Sequence, residues 1–153
     1  MAFTSITRFL QSAFATPSQE DQQEKRDEAI RTATAAVLLD IAYADDSIST
    51  TEEQHLLEFL GRSFGLTEEH ARDLLETADE LRSGTIDHWN LTNVIRKNTT
   101  LDERIEIVKA MWRIVYSDGH LHQYENYIVR KLADLLGLEH HVMIDAKMAV
   151  RRE

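Results

Sequence analysis

Two stretches of this chain share one pattern, Ile41-Ala-Tyr-Ala-Asp45-Asp-Ser-Ile-Ser-Thr-Thr-Glu52 and Ile114-Val-Tyr-Ser-Asp118-Gly-His-Leu-His-Gln-Tyr-Glu125. The first isoleucine, the first tyrosine, the first aspartate and the final glutamate are the same in both. The interval from Asp45 to Asp118 equals the interval from Glu52 to Glu125, 73 residues. An internal repeat of this kind indicates that one supersecondary unit is used twice. Each copy predicts a helix, an acidic turn and a second helix.

The segments around both turns have helical periodicity. Residues from about Glu24 to Ala44 predict a helix whose later half is apolar on nearly every side, and the helix that starts after Thr100 is its counterpart. We expect these two helices to cross at the centre of the core. No stretch alternates apolar and polar residues in the manner of a strand. The sequence therefore predicts an all-α fold of about seven or eight helices in two pseudo-symmetric halves.

The predicted helices carry start and stop signals. Ser49 and Thr100 each open a pattern with a glutamate three residues later, which is typical of a capping box, and Thr67 is a further N-cap candidate. Gly65 and Gly137 follow apolar runs at corresponding places, where glycine commonly ends a helix. These signals place the helix ends independently of the apolar periodicity.

The composition restricts the class of protein. The chain has 153 residues, 42% hydrophobic residues and a net charge of −10, which suits one soluble domain and disfavours binding to a phosphate backbone, so we expect no nucleic-acid partner. It has no cysteine, which excludes disulfides and thiolate chemistry and is compatible with a cytoplasmic location. Its apolar runs are too short to cross a membrane.

The N-terminal part is a separate segment in this interpretation. Residues 1–15 have apolar residues at helical spacing and end before Pro17, which predicts a short amphipathic helix. A polar linker follows, so residues 1–23 precede a domain formed by residues 24–153. The helix either packs on that domain or contacts a partner or the surface of a membrane as a peripheral anchor.

The acidic residues of the two turns need an explanation. Asp45 and Asp118 follow the C-terminal ends of helices, where the helix dipole disfavours a negative charge. Glu52 and Glu125 lie in the first turns of the next helices, where the dipole favours one. Glu52 also fits a capping box, whereas Glu125 has a histidine in the capping position. Capping alone therefore explains one of the two glutamates.

The spacing matches the second half of a calcium-binding EF-hand loop, from its fifth to its twelfth position. The first half is absent, because Ile41 and Tyr43 stand where ligands would be needed. One turn cannot supply six to eight oxygens, but Asp45, Glu52, Asp118 and Glu125 together form a candidate site for a divalent metal ion, of unspecified identity. The alternative is that the acidic turns are structural helix caps.

Both turns resemble the hallmark of the tellurite-resistance TerB family, an Asp-Gly-x-Ile-x-x-x-Glu pattern given twice, each followed by a helix that ends near Gly-Leu. The similarity extends from about Ala29 to Val150, and the first copy departs from it with Asp46 in place of glycine. The resemblance implies an all-α fold with grouped acidic residues and a role in metal-linked or stress-linked assemblies. Such domains also occur fused to J-domain co-chaperones, whose His-Pro-Asp triplet this sequence lacks.

Three functions follow as hypotheses. The first is a non-enzymatic TerB-like binding or scaffold module that recruits a protein partner or a second copy of itself, with a divalent cation at the four acidic residues. The second is an interaction domain whose acidic turns are only caps. The third, which we disfavour, is a metal-dependent hydrolase that would use the acidic residues with His120 or His122. The sequence contains no HExxH, phosphate-binding or nucleophile-elbow motif.

Overall fold

The computed structural model describes residues 19–43, 48–83, 88–117 and 123–153, with the backbone alone for residues 88 and 123–125. These residues form helices and no strand, which confirms the predicted all-α class. The helices are α1 (Gln19–Ala42), α2 (Thr50–Phe64), α3 (Glu68–Arg82), α4 (His88–Asn98), α5 (Leu101–Tyr116), α6 (Gln123–Leu135) and α7 (His140–Arg151).

Helix α1 is the central element. Its residues 33–39 are all buried, and it contacts α2, α3, α4, α5 and α6, most extensively α3 and α4. Burial on all sides is what an all-round apolar helix requires. Helix α5 packs on α1 and most extensively on α7, so the two apolar helices meet in the core as expected.

The start of α1 differs from the prediction. The helix begins at Gln19 and therefore includes residues 19–23, which we expected to be a linker. Residues 19–26 are exposed and polar, but they are good helix formers without a Gly or Pro. Glu20 and Asp21 lie in the first turn, where their negative charges interact favourably with the helix dipole and stabilise the helix. Gln23 donates a hydrogen bond to Asp27, one turn later, at 2.9 Å. The polar composition alone suggested a linker.

The predicted helix starts are confirmed at atomic level. At the start of α2, the Glu52 backbone N–H donates to Ser49 Oγ at 3.1 Å while the Ser49 N–H donates to Glu52 Oε1 at 3.2 Å. Thr100 and Glu103 form the same reciprocal pair at the start of α5. Thr67 Oγ1 accepts from the third residue of α3 at 3.2 Å. Each capping box satisfies two backbone N–H donors that would otherwise lack a partner.

The two halves use corresponding elements. In the first half α1 contacts α2 and α3, and in the second half α5 contacts α6 and α7. Contacts between the halves include α1 with α6 and α2 with α5. Helix α4 lies between the halves in the sequence and packs on α1 and on α6. The pseudo-symmetry of the halves stays a prediction, although the element order and these contacts are compatible with it.

The helix ends at the two corresponding glycines differ. Both glycines adopt left-handed backbone, with φ 64° at Gly65 and φ 80° at Gly137, which is easily reached only without a Cβ. Gly65 has open space where a Cβ would stand. At Gly137 a Cβ would lie 3.1 Å from Arg96 Nε and from Arg104 Nη1. Arg104 Nη1 also donates to the carbonyl of Leu136 at 2.7 Å, so basic side chains cover the negative end of α6.

The predicted amphipathic helix at residues 1–15 lies outside the described residues, and the proposed domain boundary at residue 24 stays a prediction. Across the described helices, no segment combines the length and the apolar character that crossing a lipid bilayer requires.

Candidate functional site

Glu52 is the one predicted metal ligand whose side chain the structure describes. It occupies the first turn of α2, held there by the capping box with Ser49. Only 5% of Glu52 is exposed, in contrast to its neighbour Glu53, whose side chain is 44% exposed. A buried carboxylate is costly unless it is hydrogen-bonded or paired, and the backbone N–H of Ser49 supplies one hydrogen bond to Glu52.

Glu103 provides an internal comparison for Glu52. Both glutamates accept a hydrogen bond from the N-cap backbone, at 3.2 Å for Glu52 and 3.1 Å for Glu103. Glu103 is nevertheless exposed to solvent. The local capping geometry therefore does not require burial. The burial of Glu52 comes from the packing around the start of α2 and not from the cap itself.

The other three predicted ligands are not placed by the structure. Asp45 and Asp118 lie outside the described residues, and so do His120 and His122 of the hydrolase hypothesis. Of Glu125 the structure describes the backbone, in the first turn of α6. Among the side chains that are described, no three His, Asp or Glu residues converge as a metal-binding group. The joint four-carboxylate site stays a prediction.

A basic residue approaches the first acidic turn from α3. The Arg82 guanidinium lies 4.3 Å from the ring centre of Tyr43, the last described residue before the turn. Arg82 also donates to Asp79 at 3.1 Å and stands 3.9 Å from the carboxylate of Asp40 on α1. A cation over an aromatic ring and between two carboxylates is electrostatically favourable. Arg82 thus joins α3 to the end of α1.

The second turn is preceded by a different arrangement. Trp112 is fully buried, and Tyr116 stacks on it with ring centres 6.2 Å apart. Lys147 Nζ lies 5.0 Å from the ring centre of Trp112. The indole Nε1 of Trp112 has no hydrogen-bond partner among the described residues. This end of α5 therefore depends on aromatic packing with a cation from α7.

An ion pair ties the end of α5 to the residues after α7. Arg113 Nε donates to both carboxylate oxygens of Glu153, at 3.1 and 3.0 Å, and Nη2 donates to one of them at 2.6 Å. These hydrogen bonds lower the pKa of Glu153 and, with its negative charge, raise the pKa of Arg113. The fork geometry is the strong form of this pair.

Sequence reasoning did not single out Arg82, Arg113 or Glu153. The repeat contained the signal, because Arg113 stands at the position of Asp40 in the other copy. Asp40 on α1 pairs with Arg82 on α3, while Arg113 on α5 pairs with Glu153, which follows α7. In each case an ion pair links the first helix of a half to the end of its third helix, but the acid and the base have exchanged places. Extending the repeat beyond the acidic motif would have indicated these pairs.

Comparison with known proteins identifies the family. Residues 31–148 match the family model described as Tellurite resistance protein TerB, which is more than half of the chain. Searches of curated proteins and of solved structures give no match. The matched region includes both acidic turns and extends from within α1 to within α7. The duplicated motif, the all-helical fold and this match agree, and the chain belongs to the TerB family.

Proposed function

We propose that this TerB-family chain is a cytoplasmic, non-enzymatic binding module that takes part in a metal or stress response. In this proposal Asp45, Glu52, Asp118 and Glu125 hold one divalent cation, and the ordered domain recruits a protein partner. The family membership and the duplicated acidic motif support the proposal. The cation has a structural role here, since it fixes the two turns relative to each other.

The observation that carries the proposal is the burial of Glu52. An N-terminal capping glutamate can do its work in solvent, as Glu103 does. Glu52 makes the same cap yet is 95% shielded, since its exposed fraction is 5%. In an EF-hand the last loop position is a glutamate that opens the following helix and turns its carboxylate toward the ion. Glu52 combines that helix position with burial from solvent.

The donor chemistry fits a hard cation. The four residues offer only carboxylate oxygens, which suit calcium, magnesium or manganese better than a soft metal. Four carboxylates brought together would repel one another and raise their own pKa values. A bound divalent ion removes this repulsion, so the ion and the paired turns would stabilise each other.

Thermal unfolding in the presence of metal ions tests the proposal. The full chain is melted with calcium, magnesium, manganese or zinc chloride and with a chelator. An ion that binds the native state at a hundredfold excess over its Kd should stabilise it by about 2.7 kcal/mol. The Glu52→Gln variant should lose this shift, while Glu103→Gln, which alters the matched exposed cap, should keep it.

The alternative proposal is an interaction domain in which the acidic turns are only helix caps. The complete hydrogen-bonded box between Ser49 and Glu52 favours it. A glutamine at position 52 retains a carbonyl oxygen that can accept the Ser49 N–H, so this alternative predicts equal, ion-independent effects for Glu52→Gln and Glu103→Gln. If none of the four ions changes the melting temperature of the native chain, the cation site is wrong.

A further inference from the structure

Two surface grooves lie at corresponding places in the repeat. The first runs between α2 and α3, and the second runs between α6 and α7. Their lining residues pair along the sequence, since Gln54, Glu58 and Gly61 of the first groove correspond to Tyr127, Lys131 and Asp134 of the second. Each groove is therefore framed by the second and third helices of its own half.

The two grooves have opposite charge. The first carries Glu53, Glu58 and Glu68, and its arginine, Arg72, is engaged by Glu53 at 3.3 Å and by Glu68 at 3.0 Å. The second groove carries two cationic side chains, one histidine and one acid: Arg130, Lys131, His140 and Asp134. A basic groove on a chain with a net charge of −10 is a local departure from the rest of the surface.

The cations of the second groove are available for an external carboxylate. Neither Arg130 nor Lys131 has an ion-pair or hydrogen-bond partner among the described residues. Both side chains are in exposed positions of α6. On the first groove, Glu58 also lies in an exposed position, and it has no hydrogen-bond or ion-pair partner within the described part of the chain. The first groove thus presents an unpaired carboxylate, and the second presents two unpaired cations beside the single carboxylate of Asp134.

Each groove also offers apolar or aromatic surface. Tyr127 stands on the second groove with 62% of its surface exposed, an unusual amount for a large aromatic residue. The first groove is lined in part by Leu57, Gly61 and Leu66, which give it an apolar stretch. Tyrosine is a common anchor of protein interfaces because its ring is large and rigid and carries a polar hydroxyl. The apolar stretch of the first groove gives such a ring a surface on which to pack.

We propose that the basic α6–α7 groove of one copy of this chain docks on the acidic α2–α3 groove of a second copy. Carboxylates of one copy pair with Arg130 and Lys131 of the other, and the Tyr127 ring packs on the apolar stretch of the opposite groove. The contact is heterologous, so each pair of copies keeps one groove of each kind and can add further copies. Because each copy has a negative net charge, most orientations of two copies bring like charges together and are disfavoured. The orientation that pairs the basic groove with the acidic groove avoids this repulsion and is selected.

Sedimentation velocity of the full chain over a range of concentrations tests the proposal. The native chain should gain mass beyond its 17.6 kDa monomer as concentration rises. The variants Arg130→Gln/Lys131→Gln and Glu58→Gln/Glu68→Gln should each weaken self-association at least about tenfold, equivalent to about 1.4 kcal/mol. The matched controls Lys97→Gln/Arg152→Gln and Glu76→Gln/Glu80→Gln change the same charges elsewhere and should stay within about twofold of the native chain.

Mixing the two groove variants separates specific docking from a general charge effect. Each variant keeps one intact groove, so an equimolar mixture should recover association and stop at two chains. Circular dichroism melts verify that all variants are folded. The proposal fails if the native chain stays monomeric up to about 1 mM. It fails equally if the groove variants associate like their controls, or if mixing them restores nothing.

Discussion

The first half of the sequence repeat (α1 to α3) and the second half (α5 to α7) place different side chains at corresponding positions of the repeat. Leu39 near the end of α1 corresponds to Trp112 on α5, and both are buried. The next residues are Asp40 and Arg113, one acidic and one basic. Asp40 pairs with Arg82, and Arg113 pairs with Glu153. A repeated sequence can therefore retain a connection between helices while the charges of that connection are reversed.

The difference extends to how firmly each half is tied. Arg113 and Glu153 form a fork with three hydrogen bonds, whereas Arg82 reaches Asp40 only at 3.9 Å and bonds more closely to Asp79 of its own helix. The C-terminal end of α6 is covered by Arg96 and Arg104, while the corresponding end of α2 at Gly65 is open. The second half has the closer side-chain attachments.

The largest expected loss of stability comes from truncating the two buried residues that correspond in the repeat, Leu39 and Trp112. Trp112→Ala should cost about 3–5 kcal/mol, and Leu39→Ala about 2–4 kcal/mol, because the larger side chain leaves the larger cavity. Trp112→Phe should cost less than Trp112→Ala, since it fills most of the space and removes the buried indole N–H. Urea unfolding of the three variants measures the order, and a greater loss for Leu39→Ala would contradict the comparison.

A smaller effect compares the two helix-ending glycines. Gly65→Ala should cost about 1–2 kcal/mol, because alanine is strained in the left-handed region. Gly137→Ala carries the same strain, and its Cβ would also displace Arg96 and Arg104 and weaken the bond to the Leu136 carbonyl, adding about 1 kcal/mol. Thermal melts of both variants provide the test, and equal losses would show that the arginines move aside without cost.

The smallest effect concerns the ion pair of the second half. The folded-state pKa of Glu153 is lowered from its ordinary value near 4.5, so its contribution is present above that value and is lost as the pH falls through the lowered pKa. The Glu153 side chain is 52% exposed, which limits the contribution to less than about 1 kcal/mol. Stability of the native chain and of Glu153→Gln, compared from pH 7 to pH 3, should converge in acid. A constant difference would contradict the assignment.

The sequence was sufficient to predict the helical framework. Capping boxes at Ser49 and Thr100, and glycines at positions 65 and 137, are local signals whose geometry depends on a few neighbouring residues, and the structure confirms each of them. The apolar periodicity predicted which helices would be central, because a helix that is apolar on most sides has no stable position at the surface. The match to the TerB family model confirms the predicted family.

The features that depend on tertiary position were not predictable in the same way. The burial of Glu52 and the exposure of Glu103 follow identical local patterns, so only the packing around each helix separates them. The grooves between α2 and α3 and between α6 and α7 require knowledge of which helices are neighbours. The polar start of α1 was misread because composition does not distinguish a solvated helix from a linker.

The position of α1 has a consequence for how the protein opens. The helix contacts five other helices and its later half is buried, so the backbone amides around Ala35, Val37 and Leu39 should become accessible to deuterium only when the whole domain unfolds. The first turns from Gln19 are surrounded by solvent and can fray separately. One continuous helix should therefore show the fastest and the slowest amide exchange in the described chain, with the boundary near Ala33.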